Sequence, residues 1–322
     1  MSDDLLSRTK GEPLSGVKAD ARSSVTVPSV SMAAQPVPPS GWAARLELRF
    51  EADGAGPTRL VHNRHVGPLR LLRALPQPDG SSHAVIVHPP GGLVGGDTLD
   101  IDIAVGQGAR VLCTTPGAQK WYRAERDGAR ASTVLRVQPG AFLEWLPQPT
   151  LVFDAARADQ RLAIDLAAEA GMIGWECLVL GRAAMGERFL QGDLRQSLSI
   201  RQDGQLLWDE QAVASAGDRL FDSPLGWGGR IAACTVWVCA RPQLLQSVLP
   251  AWRSLFETLA QEDSARAARL LAGATQPAAG LLTARLLADN AEPLMQCAER
   301  LWTLARAHLK PGREQPPRIW AT

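Results

Sequence analysis

Along most of the chain, apolar and polar positions alternate one by one. From Trp42 onward, Ala44, Leu46, Leu48 and Phe50 share one side and Arg45, Glu47 and Arg49 the other, as in a half-buried β-strand whose side chains point alternately to opposite faces. Comparable short segments bounded by Gly and Pro follow at 59–66, 69–74, 83–88, 99–105, 109–115, 132–137, 141–146, 150–153, 162–166, 173–180, 194–201, 205–213 and 231–240. Strands spaced by roughly ten residues, with no helical pattern between them, predict an antiparallel all-β body rather than alternating strands and helices. No internal repeat carries a readable signature, so blades or solenoid coils of repeated sequence have no support.

The pattern changes after Pro242. Leu244, Leu245, Val248, Leu249, Trp252, Leu255, Phe256 and Leu259 recur at helical spacing, which predicts an amphipathic helix. A second helix opens at Asn290, a good N-cap, with Glu292 and Pro293 in its first turn and Leu294, Cys297, Leu301, Leu304 and His308 along one stripe. Between the two, 266–274 and 280–288 predict a hairpin that turns at Gln276-Pro277. Three regions follow: a disordered tail at 1–40, without aromatic residues; a β-rich scaffold at 41–240; and an α+β part at 241–322.

Composition narrows the partners. The 34 basic and 33 acidic residues leave a net charge of +1, which excludes ordinary electrostatic binding to nucleic acid. No apolar run approaches the ~18 residues of a membrane span. Cys113, Cys177, Cys234, Cys239 and Cys297 are widely spaced and sit in apolar segments, so they read as reduced core residues of a cytoplasmic protein.

Three features could carry chemistry. The first is His88-Pro89-Pro90-Gly91-Gly92-Leu93-Val94-Gly95-Gly96-Asp97, whose glycines permit tight turns and whose Asp97 sets a carboxylate at the exit. It lacks the Lys-Ser/Thr ending of a phosphate loop, and a structural double turn is the favoured reading. The second is Thr114 to Arg123, where Lys120, Tyr122 and Arg123 make either a solvated turn or a loop that faces a partner or an anion. The third is Glu176 inside Ile173-Gly174-Trp175-Glu176-Cys177-Leu178-Val179-Leu180. Both faces of that strand are apolar, so the carboxylate needs a cation, a hydrogen bond or a wet cavity. Arg182, just beyond, could pair with it. Glu210 beside Trp208 and Glu144 beside Trp145 read as edge residues.

Familiar catalytic arrangements do not fit. The histidines are scattered, and Cys234 and Cys239 fall on opposite strand faces, which disfavours a closed all-protein metal site. Asp97, Glu144, Asp154, Glu176 and Glu210 leave a β-structured hydrolase with paired carboxylates open, and a plain carbohydrate- or peptide-binding module also stands.

Taken in order, His65-Val66-Gly67-Pro68-Leu69, His88 to Asp97, Thr114 to Arg123, Leu143-Glu144-Trp145-Leu146-Pro147-Gln148, Cys177 to Arg182 and Pro317-Arg318-Ile319-Trp320 resemble the urease accessory protein UreD family, also called UreH. The matching stretches span about residues 41–320. The resemblance implies a mainly β, antiparallel many-stranded scaffold of stacked or helically wound sheets, with a small C-terminal α+β part carrying two helices. It implies a non-catalytic maturation factor that joins UreF-type and UreG-type (GTPase) accessory proteins and docks on apo-urease. It further implies that no cofactor is tightly bound and that nickel(II) passes in transit. The family's acidic positions fall on Asp97, Glu176 and Glu210, with Arg182 after the strand. A conduit must release its ion, and isolated carboxylates suit release better than a cage of His and Cys. The apolar helix faces and glycine loops further suggest a chain that is poorly soluble without its helical partner.

Overall fold

A computed structural model describes residues 41–54, 56–262, 270–309 and 316–321; the tail expected at 1–40 lies outside the described residues. The alternating segments form strands. In chain order these are β1 (Ala43–Ala52), β2 (Thr58–Val66), β3 (Arg70–Pro76), β4 (Ser82–Val87), β5 (Gly92–Leu93), β6 (Thr98–Val105), β7 (Arg110–Thr114), β8 (Gln119–Trp121) and β9 (Ala129–Val137). There follow β10 (Phe142–Leu146), β11 (Thr150–Val152), β12 (Ala156–Leu166), β13 (Gly171–Leu180), β14 (Gly192–Gln202), β15 (Gln205–Ser215), β16 (Ala232–Cys239), β17 (Leu270–Ala278) and β18 (Leu281–Ala288). One sheet has the order β15-β14-β12-β9-β6-β1-β2. The other runs β17-β18-β16-β13-β10-β7-β4-β3, with β5, β8 and β11 as a short side ladder joined to β13.

The chain is wound. β4, β5 and β6 are followed by β7, β8 and β9, then by β10, β11 and β12, each triplet visiting the second sheet, the side ladder and the first sheet. Each winding brings the chain back beside its previous pass in the same direction, so β4-β7-β10-β13, β6-β9-β12-β14 and β5-β8-β11 pair in parallel. Antiparallel pairs lie towards the ends, as in β1 with β2, β3 with β4, β14 with β15 and β13 with β16. The mainly β, stacked and wound character matches expectation, whereas the antiparallel body does not extend through the middle. Alternation reads the same in either direction; connectivity decides which is built.

The sheets enclose one apolar layer, in which Leu48, Ile103, Leu135, Ile164 and Ile200 from successive strands of the first sheet are buried. A second layer lies on the far face of the second sheet, beneath α2 (Pro242–Glu262) and α3 (Ala291–Leu309); the short α1 (Arg219–Asp222) precedes them. The second sheet is therefore covered on both faces. Ile173, Trp175, Cys177 and Val179 of β13 belong to the helix side, and Met172, Leu178 and Leu180 to the inter-sheet side. This double coverage is why that strand reads as a continuous apolar run.

Both long helices form where the periodicity places them, and Asn290 caps α3 by accepting the Glu292 N–H at 3.1 Å. Most of their apolar stripes are buried against the sheet, while Leu244 at the start of α2 is exposed. His308 is exposed, and Trp302 and Arg306 are buried in its stead. The hairpin turns at Ala279-Gly280; Gln276-Pro277 instead forms an irregularity in β17, where the register shifts between Thr275 and Ala278. Proline cannot donate to a ladder, so a bulge accommodates it. All five cysteines are buried and free. Among the described residues no helix is long and apolar enough to cross a membrane.

Candidate functional site

The glycine loop is a structural device. Asp97 is buried, with Oδ1 accepting the Trp42 N–H at 2.8 Å and Oδ2 the Val94 N–H at 2.9 Å, which ties the entry of β1 to the loop. Gly92 has no room for a side chain, since a Cβ would stand 2.5 Å from the Tyr122 ring and 2.7 Å from the Lys120 carbonyl. The loop's glycines permit this close approach of β5 to β8.

Tyr122 and Arg182 meet at one corner, on the ring of Phe153. Tyr122 packs edge-on against Phe153 with centroids 5.2 Å apart, and the Arg182 guanidinium sits 4.3 Å from the same ring centroid. Arg182 is paired with Glu187 and not with Glu176, because the isolated bridge between Arg182 and Glu187 turns the chain back on itself. Asp154 in this corner accepts the N–H groups of Leu190 and Gln191 at 2.7 and 2.9 Å. Lys120 is half-buried on β8.

Glu144 is no edge residue. It lies in the middle of the second sheet on the helix side, where Arg306 donates to both its oxygens at 3.2 and 3.1 Å and Trp302 Nε1 donates at 2.6 Å. The carboxylate is sealed as an internal ion pair that docks α3.

Glu176 lies on the opposite face of that sheet and points between the sheets. Gln160 Nε2 donates to its Oε1 at 2.7 Å and Gln196 Nε2 to its Oε2 at 3.3 Å. Burial pushes its carboxyl up to about 7, and the charge of Glu210 adds to the shift while the two glutamine hydrogen bonds oppose it. Glu176 and Glu210 line one cavity of about 560 Å³, together with Gln196, Trp227, Thr235 and Arg285. Glu210 accepts from Arg285 Nη2 at 2.6 Å and from Trp208 Nε1 at 3.3 Å. A carboxyl that titrates near neutrality beside a second carboxylate can take up and lose a cation or a proton at little cost. Among the described residues, no group of three or more His, Cys, Asp or Glu side chains converges to hold a metal.

Of the acidic positions singled out from sequence, then, Glu176 and Glu210 come together. Asp97 stands apart at the rim of a different cavity, which also takes in Arg130, Arg157 and Asp193. Sequence reasoning missed Gln160, Gln196, Thr235 and Arg285. The signal was present: in Leu194, Gln196, Leu198 and Ile200 a polar residue interrupts an inward apolar face, and Arg285 interrupts the apolar β18.

Fold and site together define a class: a wound β scaffold with helices docked on one sheet and a carboxylate-bearing chamber between the sheets. A family model described as UreD urease accessory protein matches residues 43–321. The chain belongs to the UreD family of urease accessory proteins. It is 43% identical over 293 residues to the urease accessory protein UreD of Azoarcus sp. (strain BH72), covering 90% of this chain and 96% of that protein. It is similar also to the UreD proteins of Delftia acidovorans, 38% identical over 91% of this chain and 99% of the relative, and of Pseudomonas aeruginosa, 40% identical over 87% and 95%.

Proposed function

We propose that this chain is a non-catalytic urease maturation factor of the cytoplasm, which joins UreF-type and UreG-type accessory proteins, docks on apo-urease and passes nickel(II) through the chamber between its sheets. The observation that carries this reading is the shared cavity of Glu176 and Glu210. Two carboxylates supply oxygen ligands too few to enclose a divalent ion, and such an ion keeps part of its water shell. Glutamine amides on Glu176 orient the carboxylate without adding a fixed charge. Binding is then weak enough for onward transfer.

The route is assigned to Glu176 and Glu210. Asp97, whose oxygens hold Trp42 and Val94, is assigned to the glycine loop. The corner of Tyr122 and Arg182, with Lys120 and Arg123 from the same segment as Tyr122, is assigned to partner contact. No tightly bound cofactor enters this reading.

The test is the double variant Glu176→Ala with Glu210→Ala, produced with the urease operon. Pull-down should recover the accessory complex on apo-urease at wild-type levels, while urease activity and urease-bound nickel fall severalfold in limiting nickel. Wild-type activation by the double variant in limiting nickel would reject the route.

A further inference from the structure

The chamber carries a cation of its own. Arg285 of β18 reaches across from the second sheet to Glu210 of β15, the edge strand of the first, so their 2.6 Å contact spans the opening between the sheets. Both partners keep solvent contact, with side-chain exposures of 51% and 28%. The guanidinium also lies 5.8 Å from the centroid of the Trp208 ring, whose own N–H donates to the second oxygen of Glu210. Glu176, in contrast, is held by neutral amides. Glu176, Thr235 and Arg285 are consecutive cross-strand neighbours, so the arginine stem is rooted in the same row as the inner carboxylate.

An exposed ion pair is a weak one, and a divalent ion competes well for a carboxylate held by a single flexible cation. Once displaced, the guanidinium retains the indole face, where cations are attracted to the ring. Building on the nickel-transit reading, we propose that Arg285 is a tethered competitor of the cargo. It occupies Glu210 when the chamber is empty, yields Glu210 to an arriving divalent ion, and reclaims it as the ion leaves. Its effect is to set affinity low and release fast, which a delivery protein needs and a storage protein does not. Arg285 is thus a positioning residue acting through Glu210.

The experiment measures nickel(II) binding to the full chain by equilibrium dialysis near neutral pH, and release to a chelator by stopped flow. Wild type, Arg285→Ala, Arg285→Lys and the Glu176→Ala/Glu210→Ala double variant are compared, with thermal melts as a check on folding. Arg285→Ala should bind nickel about tenfold tighter, equivalent to about 1.4 kcal/mol, release it correspondingly more slowly, and activate urease less in limiting nickel. Arg285→Lys should stay within about threefold of wild type, because it keeps the charge but not the planar fork. Unfolding would expose nickel-binding thiols of the five buried cysteines, so the gain must come with a wild-type melt; unchanged or weaker binding by Arg285→Ala, or tighter binding only with a lowered melt, overturns the competitor role. If the double variant loses binding while Arg285→Ala gains none, the competitor fails and the route stands. If the double variant binds nickel as wild type does, or no variant binds it at all, both fall.

Discussion

Arg306 and Glu144 are 162 residues apart in the chain and form a buried two-pronged ion pair that fastens α3 to the centre of the second sheet. Both side chains are almost fully enclosed, with exposures of 4% and 5%. Burial first, and then the positive charge of Arg306, hold the neighbouring His83 down to about 4, with Asp79 opposing. A polar cluster therefore sits inside the apolar layer under α3.

Removing Arg306 strips the buried Glu144 of its cation, and removing Glu144 leaves the buried Arg306 with the longer 3.5 Å contact to Asp79. Arg306→Ala or Glu144→Ala should each destabilise the fold by about 3–5 kcal/mol, whereas Glu144→Leu with Arg306→Met should come much closer to wild type. Urea titration followed by tryptophan fluorescence measures this. Equal losses in the single and double variants would show that packing, and not charge, governs the joint.

Stability should carry the signature of Glu176. Its folded-state value is raised from 4.5 to about 7, so the folded protein resists ionisation while the unfolded chain accepts it. Below about 4.5 both states are protonated and no penalty exists; the penalty grows as pH rises through that window and is complete above about 7. Its full size is on the order of 3 kcal/mol. Glu176→Gln should therefore be more stable than wild type above neutrality and nearly equal to it in mild acid, as read from melting temperatures at the two ends. His83 works in the opposite sense: its depressed value removes stability as pH falls from 6.5 to about 4. The comparison must accordingly be made between variant and wild type at each pH. A constant difference across the window would contradict the raised Glu176 value.

The end of the chain is a wedge. Trp320 packs against Trp175 with centroids 5.6 Å apart and against Trp302 at 5.9 Å, and its Nε1 donates to Thr114 Oγ1 at 2.8 Å. Trp302 in turn donates to Glu144, so the terminal indole supports the joint described above. Trp320→Ala should cost about 2 kcal/mol and Trp320→Phe about half of that, through lost ring contact and the lost hydrogen bond. Chemical denaturation reads the effect, and indistinguishable midpoints for Trp320→Ala and wild type would show the wedge to be dispensable.

Much of this molecule is local, and what is local was legible. The alternation of Ala44, Leu46, Leu48 and Phe50 against Arg45, Glu47 and Arg49 places β1 and its inward face without any knowledge of its neighbours, because side-chain direction follows from a period of two. The same holds for α3, where Asn290 and the stripe of Leu294, Cys297 and Leu301 mark start and face. Glu176 could be singled out because a carboxylate on a strand apolar on both faces must be compensated by something. The family resemblance, carried by the glycine loop and five further segments, agrees with the match over residues 43–321.

Pairing is not local, and only the tertiary structure decided it. Whether β6 and β9 run parallel depends on what the chain does between them. Glu176 finds Gln160 and Gln196, Arg182 turns to Glu187, and Glu144 is claimed by an arginine at the far end of the chain. Glu210 and Arg285 meet because an edge strand of one sheet faces a strand of the other. Side-chain periodicity states which way each residue points, but the free energy of a buried charge is set by what lies opposite, and that is a property of the assembled sheets.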